Sequence, residues 1–210
     1  LEIRHRKTTL GSLEIEKVER DNERFELKTL KLSEVEILKF SDFPTLFLIQ
    51  PPYGTIVEWK MGRAAVLAFY EYRKNGSGEK PNGLGFLAPW QLEILCEEYL
   101  RELGLLRYKL FSTGKFMKGF DIVGIDQDGI QVFAQVKHHG TTSEYGEFSK
   151  TVDSFSGKGT FFYFDAEEVV GTFSAHKNVR VISVQEVYSY FKQHNSEFLS
   201  RLVYGFSEAA

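Results

Sequence analysis

The stretch FDIVGIDQDGIQVFAQVKH, Phe120 to His138, decides how this chain is read. Two apolar runs, Phe120 to Ile125 and Ile130 to His138, flank Asp126, Gln127, Asp128 and Gly129, a spacing that predicts adjacent antiparallel strands joined by a tight turn. With a loop of Gln127, Asp128 and Gly129, and Gly129 in the left-handed position, Asp126 faces Ile130 and Asp121 falls opposite Gln135. Side chains alternate along a strand, so Lys137 shares that face. A shorter loop would pair Asp121 with Val136 and divide the polar trio between two faces, so the longer loop is expected.

A carboxylate, a carboxamide and an ammonium on one patch suit phosphodiester hydrolysis. That reaction needs a hard divalent cation, Mg2+ or Mn2+, held by oxygen atoms beside a group that offsets charge developing on the phosphate. Asp121 offers the anionic oxygen, Gln135 a neutral carbonyl and the Val136 backbone another. Lys137 is positioned to orient water or stabilise the developing charge. Glu93, on the polar edge of the preceding helix, offers a second carboxylate.

The neighbouring sequence supplies the frame. Pro89 opens a helix on which Leu92, Leu95, Cys96, Tyr99, Leu100 and Leu103 fall at i, i+3, i+4, i+7 spacing, ending at Gly104. A strand is expected over Leu105 to Phe111, a helix over Glu144 to Phe155, and strands over Thr160 to Phe164 and Val179 to Ser183. Ser183 and Glu186 have capping-box spacing and open a helix carrying Val187, Tyr188 and Phe191. A last helix starts at Ser196. The expected class is mixed α/β. Upstream, Leu13 to Leu32 reads as a polar hairpin, and Val35 to Phe40 and Thr45 to Ile49 as strands. Met61 to Arg73 has both helix-favouring and strand-favouring residues. The organisation expected is a β-rich segment over 1–75, a Gly/Pro/Asn-rich linker over 76–88 and a second domain over 89–210.

The run of Leu92, Glu93, Leu100 and Gly104, then Gly119, Phe120, Asp121, then Gln135 and Lys137, resembles the PD-(D/E)XK nuclease superfamily. More narrowly it is similar to the Mrr-like restriction endonucleases, where Gln stands for the second acid, and to archaeal Holliday-junction resolvases. The likeness covers roughly Pro89 to Lys192, half the chain, with Phe120 at the position named for proline. It implies a restriction-endonuclease-like αβββαβ core, magnesium or manganese dependence, and duplex or branched DNA as substrate. Glu93 takes the helix carboxylate role, Asp121 the metal-binding Asp role, Gln135 the Asp/Glu role and Lys137 the Lys role. Because DNA has two strands, a symmetric homodimer would be the economical arrangement. A nuclease-fold binding protein with little catalysis is the rival that Gln135 keeps open.

Composition narrows the rest. Forty-two per cent hydrophobic residues, including 19 Phe and 10 Tyr, exclude a disordered chain. One cysteine excludes an intrachain disulfide and a cysteine zinc cage, which reads as an intracellular, cytoplasmic protein. No apolar run reaches the roughly 18 residues of a membrane span. The net charge of −3 divides into 14 basic against 13 acidic residues up to residue 88, and 12 against 16 after it. DNA contact must therefore use local basic stretches, and Arg107, Lys109, Lys115 and Lys118 lead straight into Asp121. His138 and His139 lack a partner cluster and read as strand-edge residues. Cys96 reads as core, and Tyr145 and Lys150 as structural.

Overall fold

In the computed structural model the hairpin of residues 120–138 lies within a five-stranded mixed sheet. The described residues are 2–5, 8–20, 23–32, 43–48, 63–76, 80–111, 119–166 and 176–205. The chain divides into two units, Leu1–Lys39 and Phe40–Ala210. The first is an antiparallel meander of β1 (Glu2–His5), β2 (Thr8–Arg20) and β3 (Glu23–Leu32), with Arg20 paired to Glu23 across the expected hairpin. Val35 to Phe40 lies outside the described residues.

In the second unit, α1 (Arg63–Asn75) resolves the ambiguity of Met61 to Arg73 in favour of helix, with Ala65 and Phe69 buried one turn apart. The strand expected from Thr45 is corrected: Thr45–Leu48 is a single 3-10 turn. Thr45 Oγ1 donates to Val203 O at 2.8 Å and Leu46 is buried, so a short apolar run is used as a plug rather than a strand. Then come α2 (Pro89–Glu102), β4 (Tyr108–Lys109), β5 (Ile122–Ile125), β6 (Gln131–Lys137), α3 (Thr142–Ser154), β7 (Gly159–Asp165), β8 (Val179–Ser183), α4 (Val184–His194) and α5 (Ser196–Tyr204). The sheet order is β4-β5-β6-β7-β8; β4, β5 and β6 are antiparallel neighbours, while β6, β7 and β8 are parallel. Of the strand expected over Leu105 to Phe111, Tyr108 and Lys109 form β4, and Arg107 N–H and Leu110 N–H flank it by donating to Ile125 O (2.8 Å) and Val123 O (2.9 Å).

The hairpin register is that of the longer loop: Ile125 pairs with Gln131, Gly124 with Val132, Val123 with Phe133 and Ile122 with Ala134. Gly129 takes φ 77°, and Asp126 Oδ1 accepts from both Asp128 N–H (2.9 Å) and Ile130 N–H (2.8 Å). The side chain therefore fixes the turn that sets the register.

Alternation then sorts the sheet's two faces. Val123, Phe133, Phe161 and Tyr163 meet Tyr145, Phe148 and Val152 of α3 in an aromatic core. Phe120 belongs to it, with ring centroids 4.9 Å from Phe133 and 5.7 Å from Phe148. The opposite face buries Ile122, Val132, Ala134, Phe162 and Phe164 on the side of α2 and α4. On α2 the expected stripe is inside: Leu92, Leu95, Cys96, Tyr99 and Leu100 are all buried, each large apolar side chain contributing about 1.5–3 kcal/mol. Leu103 departs from the stripe and is 44% exposed, because the helix has ended one residue before it.

Candidate functional site

Asp121 stands where the β5–β6 ladder opens. Its neighbours Phe120 and Ile122 are both buried, Phe120 in the α3-side core and Ile122 on the other face, so the backbone between them is held from both sides. Continuing the register, the next hydrogen-bonded pair would be Phe120 with Val136. Instead Asp121 N–H donates to Ala134 O at 2.8 Å and Val136 N–H donates to Asp121 Oδ2 at 2.8 Å. The carboxylate thus takes a ladder acceptor's place and lies in the gap between strands, open to groups from either face. The N–H and C=O of one strand residue point the same way, so the Val136 carbonyl is aimed at this gap too.

Around that carboxylate the charges alternate. Glu93 approaches from α2: burial first, and then the Asp121 charge, raise its carboxyl above the usual value, with Lys109 opposing. Burial likewise raises the Asp121 carboxyl, against the Val136 hydrogen bond and the Lys137 and Lys109 ammonium groups. Glu93, Asp121, Lys109 and Lys137 are therefore within electrostatic reach of one another's neighbourhood, with Asp121 common to all. On the α3 side, Gln135 and Lys137 line a cleft of about 440 Å³ together with Gly119, Glu144, Glu147, Phe148 and Thr151.

Lys137 does not stand alone. Its Nζ lies 3.2 Å from Glu144 Oε1, and Glu144 Oε2 accepts from Thr141 N–H (3.0 Å) and Thr141 Oγ1 (2.9 Å). Thr141 Oγ1 in turn accepts from Glu144 N–H, so the capping box that starts α3 also tethers the lysine. Its Thr-x-x-Glu spacing, Thr141 to Glu144, was the sequence signal for this partner. The spacing of Ser183 and Glu186 gives no such box: Ser183 Oγ accepts from Gln185 N–H, and Glu186 Oε1 instead accepts from Tyr99 Oη at 3.4 Å.

Asp165 is a second residue that sequence reasoning passed over. It is opposite Lys137 in the β6–β7 register, is fully buried, and accepts from Gly140 N–H at 3.2 Å. Its only signal is an acid closing the apolar run of Thr160 to Phe164.

The basic residues divide. Lys115 and Lys118 lie outside the described residues. Arg107 is exposed, with its guanidinium 4.9 Å from the Tyr108 ring centre. Lys109 is only 15% exposed and is ion-paired to Glu97, which also holds Arg101. That makes Lys109 an inward charge near Asp121 rather than an outward one. His138 and His139 lie 3.2 Å apart at the strand end. Cys96 is buried, with its thiol pushed well up by burial and by Asp121 and Glu93. Tyr145 is a core residue that accepts from His176 N–H, and Lys150 is exposed.

Two carboxylates repelling across a half-buried gap and an aimed backbone carbonyl are oxygen donors of the kind a hard cation such as Mg2+ or Mn2+ takes, while the Gln135 carboxamide lines the α3-side cleft. Among the described residues no three His, Cys, Asp or Glu side chains are grouped as a metal cage, so any such ion would rest on Glu93, Asp121 and neutral oxygens. Among the same residues no helix is long and apolar enough to cross a membrane. The chain matches no family model, no curated protein and no solved structure at a significant level.

Proposed function

We propose that the chain is a metal-dependent endonuclease of the PD-(D/E)XK type, with a restriction-endonuclease-like αβββαβ core, that hydrolyses DNA phosphodiester bonds. One observation carries the reading: the Asp121 carboxylate occupies the opening of the hairpin ladder within electrostatic reach of both Glu93 and Lys137. The order α2, β4, β5, β6, α3, β7, with β7 parallel to β6, supports it. Asp121, Glu93, the Gln135 amide oxygen and the Val136 carbonyl would hold Mg2+ or Mn2+. That ion supplies an activated water and charge neutralisation at the phosphate. Lys137 contributes its ammonium to the developing negative charge, and Glu144 sets its position through the α3 cap. Phe120 keeps Asp121 in place from the core.

Cleavage of plasmid DNA in 5 mM-scale magnesium, with Asp121→Ala and Lys137→Ala as controls, tests the assignment. Activity that survives both substitutions overturns the site. Linear and four-way substrates, run side by side, separate an endonuclease from a junction resolvase. A symmetric homodimer would present one site to each strand, and sedimentation with and without DNA reads its presence directly.

The second reading is a nuclease-fold DNA-binding protein with little catalysis. It is favoured by Gln135, which leaves the proposed ion with two carboxylates only. DNA binding without cleavage of any DNA form would establish it.

A further inference from the structure

The opposite rim of the five-stranded sheet holds a second cleft with different chemistry. β7 and β8 start there, at Gly159 and Val179, and Ile130, Phe155, Lys158, Lys177, Asn178 and Arg180 line an open trough of about 500 Å³. Lys158 comes from the α3–β7 connection, Lys177 from the turn before β8, and Arg180 from β8 itself; all three are exposed. Among the described residues none of these cations forms an ion pair, and no acidic side chain lines the trough. Of the nearby acids, Asp128 is exposed in the hairpin turn and the other two are engaged elsewhere. Asp153 Oδ1 lies 3.1 Å from His176 Nε2, and Asp126 is committed to its turn.

Lys158 and Lys177 border the trough, and Arg180 lines it with its guanidinium 5.8 Å from the Phe162 ring centre; three cations from three segments so placed repel one another, and a polyanion relieves that repulsion. The trough is open and its cations stand on its rim, an arrangement suited to a passing polymer rather than to an enclosed small phosphate. Asp121 bonds Ala134 and so lies level with Ala134 and Gln135 of β6, which pair with Phe162 and Tyr163; from Gly159 that is three to four residue steps along β7, at roughly 3.3 Å per step about 10–13 Å. A nucleic-acid strand advances about 3.4 Å per nucleotide, so this distance spans about three to four of them.

We infer that the trough of Lys158, Lys177 and Arg180 binds the phosphate backbone of a nucleic acid about three to four nucleotides from the Asp121 centre. The choice of ligand rests on the DNA-hydrolase reading, but binding does not require cleavage.

The test is fluorescence anisotropy of a labelled 24-base-pair duplex with the full chain in EDTA, over a series of salt concentrations. The compared proteins are wild type, Lys158→Glu/Lys177→Glu/Arg180→Glu, and a charge-matched control, Lys74→Glu/Lys80→Glu/Lys192→Glu, built from exposed lysines elsewhere. The trough variant is expected to bind at least about tenfold more weakly, with its salt slope reduced by about 2–3, near 0.9 per lost phosphate contact. The control should change less than about threefold. Equal losses in both variants, or none in either, overturn the proposal. So does unchanged DNA affinity accompanied by lost binding to vesicles of phosphatidylserine, which would make the trough a membrane contact. If the trough variant fails to fold, Lys158→Gln/Lys177→Gln gives the same reading of the salt slope. A wild type that cleaves nothing, with a trough variant that loses binding, removes the nuclease reading and leaves the trough. A trough variant that binds and cleaves as wild type does the reverse.

Discussion

The two rims of the same sheet solve opposite electrostatic problems. At the ends of β6 and β7, Glu93, Asp121, Glu144 and Asp165 gather around Lys109 and Lys137, half-buried or buried, and most are tied to a backbone N–H or an ion-pair partner. At their starts, Lys158, Lys177 and Arg180 stand exposed around an open trough. At the first rim burial raises the Glu93 and Asp121 carboxyls, Glu93 further through the Asp121 charge, which a cation would relieve; the second has cations that an anion would relieve. The net charge of −3 averages these two surfaces and describes neither. The proposed chemistry and the proposed polymer contact therefore sit on different rims, so a substitution at one rim should spare the other.

The largest effect is expected at the acidic rim. Asp121→Ala should lower magnesium-dependent cleavage by more than about a hundredfold, since even indirect partners of metal ligands cost about 10–100-fold. Duplex binding in EDTA should stay within about threefold of wild type, because the basic rim is untouched. Loss of both together, in protein that melts normally, would mean the rims are not separable.

Gly140→Ala comes next. A Cβ there would lie 2.3 Å from Asp165 Oδ2 and 3.1 Å from Tyr163 Oη, two buried groups with little room to yield. Overpacking of this kind costs about 2–3 kcal/mol, a fall in Tm of roughly 5–10 °C for a chain of this size. Gly140 links Lys137 to α3, so cleavage should fall as well. A variant that melts like wild type would show that the turn relaxes freely and that Asp165 does not pin it.

At the other rim, Asp126→Ala removes the acceptor for two turn N–H groups and should cost about 1 kcal/mol, read in urea unfolding. It should leave cleavage chemistry nearly unchanged. The same residue shows why the fold was readable. Asp126 and Gly129 determine their turn from within the turn, so sequence alone yields the register from Ile125 back to Ile122; the expected pairing of Asp121 with Gln135 gives way to Asp121 N–H bonding Ala134 O and Val136 N–H bonding the Asp121 carboxylate, which turn chemistry does not dictate. Helix α2 was legible for a similar reason, its apolar stripe being set by helical period. What escaped were pairings across distance. Lys109 reads as a free basic residue until Glu97, twelve positions earlier, is seen to bind it. Asp165 reads as the end of an apolar run until parallel pairing brings it beside Lys137. Thr45 to Leu48 has strand composition, yet its hydroxyl partner, Val203, is 158 residues away.

The smallest effect concerns Glu144, where capping and charge can be told apart. Thr141 hydroxyl and backbone hydrogen bonds, then Lys137, hold the Glu144 carboxyl below its ordinary value of 4.5. A carboxyl lowered in the folded state stabilises the fold above its unfolded value, and that contribution disappears as pH falls through the lower folded value. Glu144→Gln keeps an acceptor for Thr141, as capping boxes tolerate Gln, but removes the charge that faces Lys137. Wild type should therefore melt slightly above the variant at pH 7, and the gap should close below about pH 4.5. Because the side chain is 39% exposed, the gap at neutral pH should be a degree or two at most. A gap that stays constant down to pH 3 would assign the whole effect to the cap. A gap that widens on acidification would place an unfavourable charge at Glu144 and reverse its role at the acidic rim.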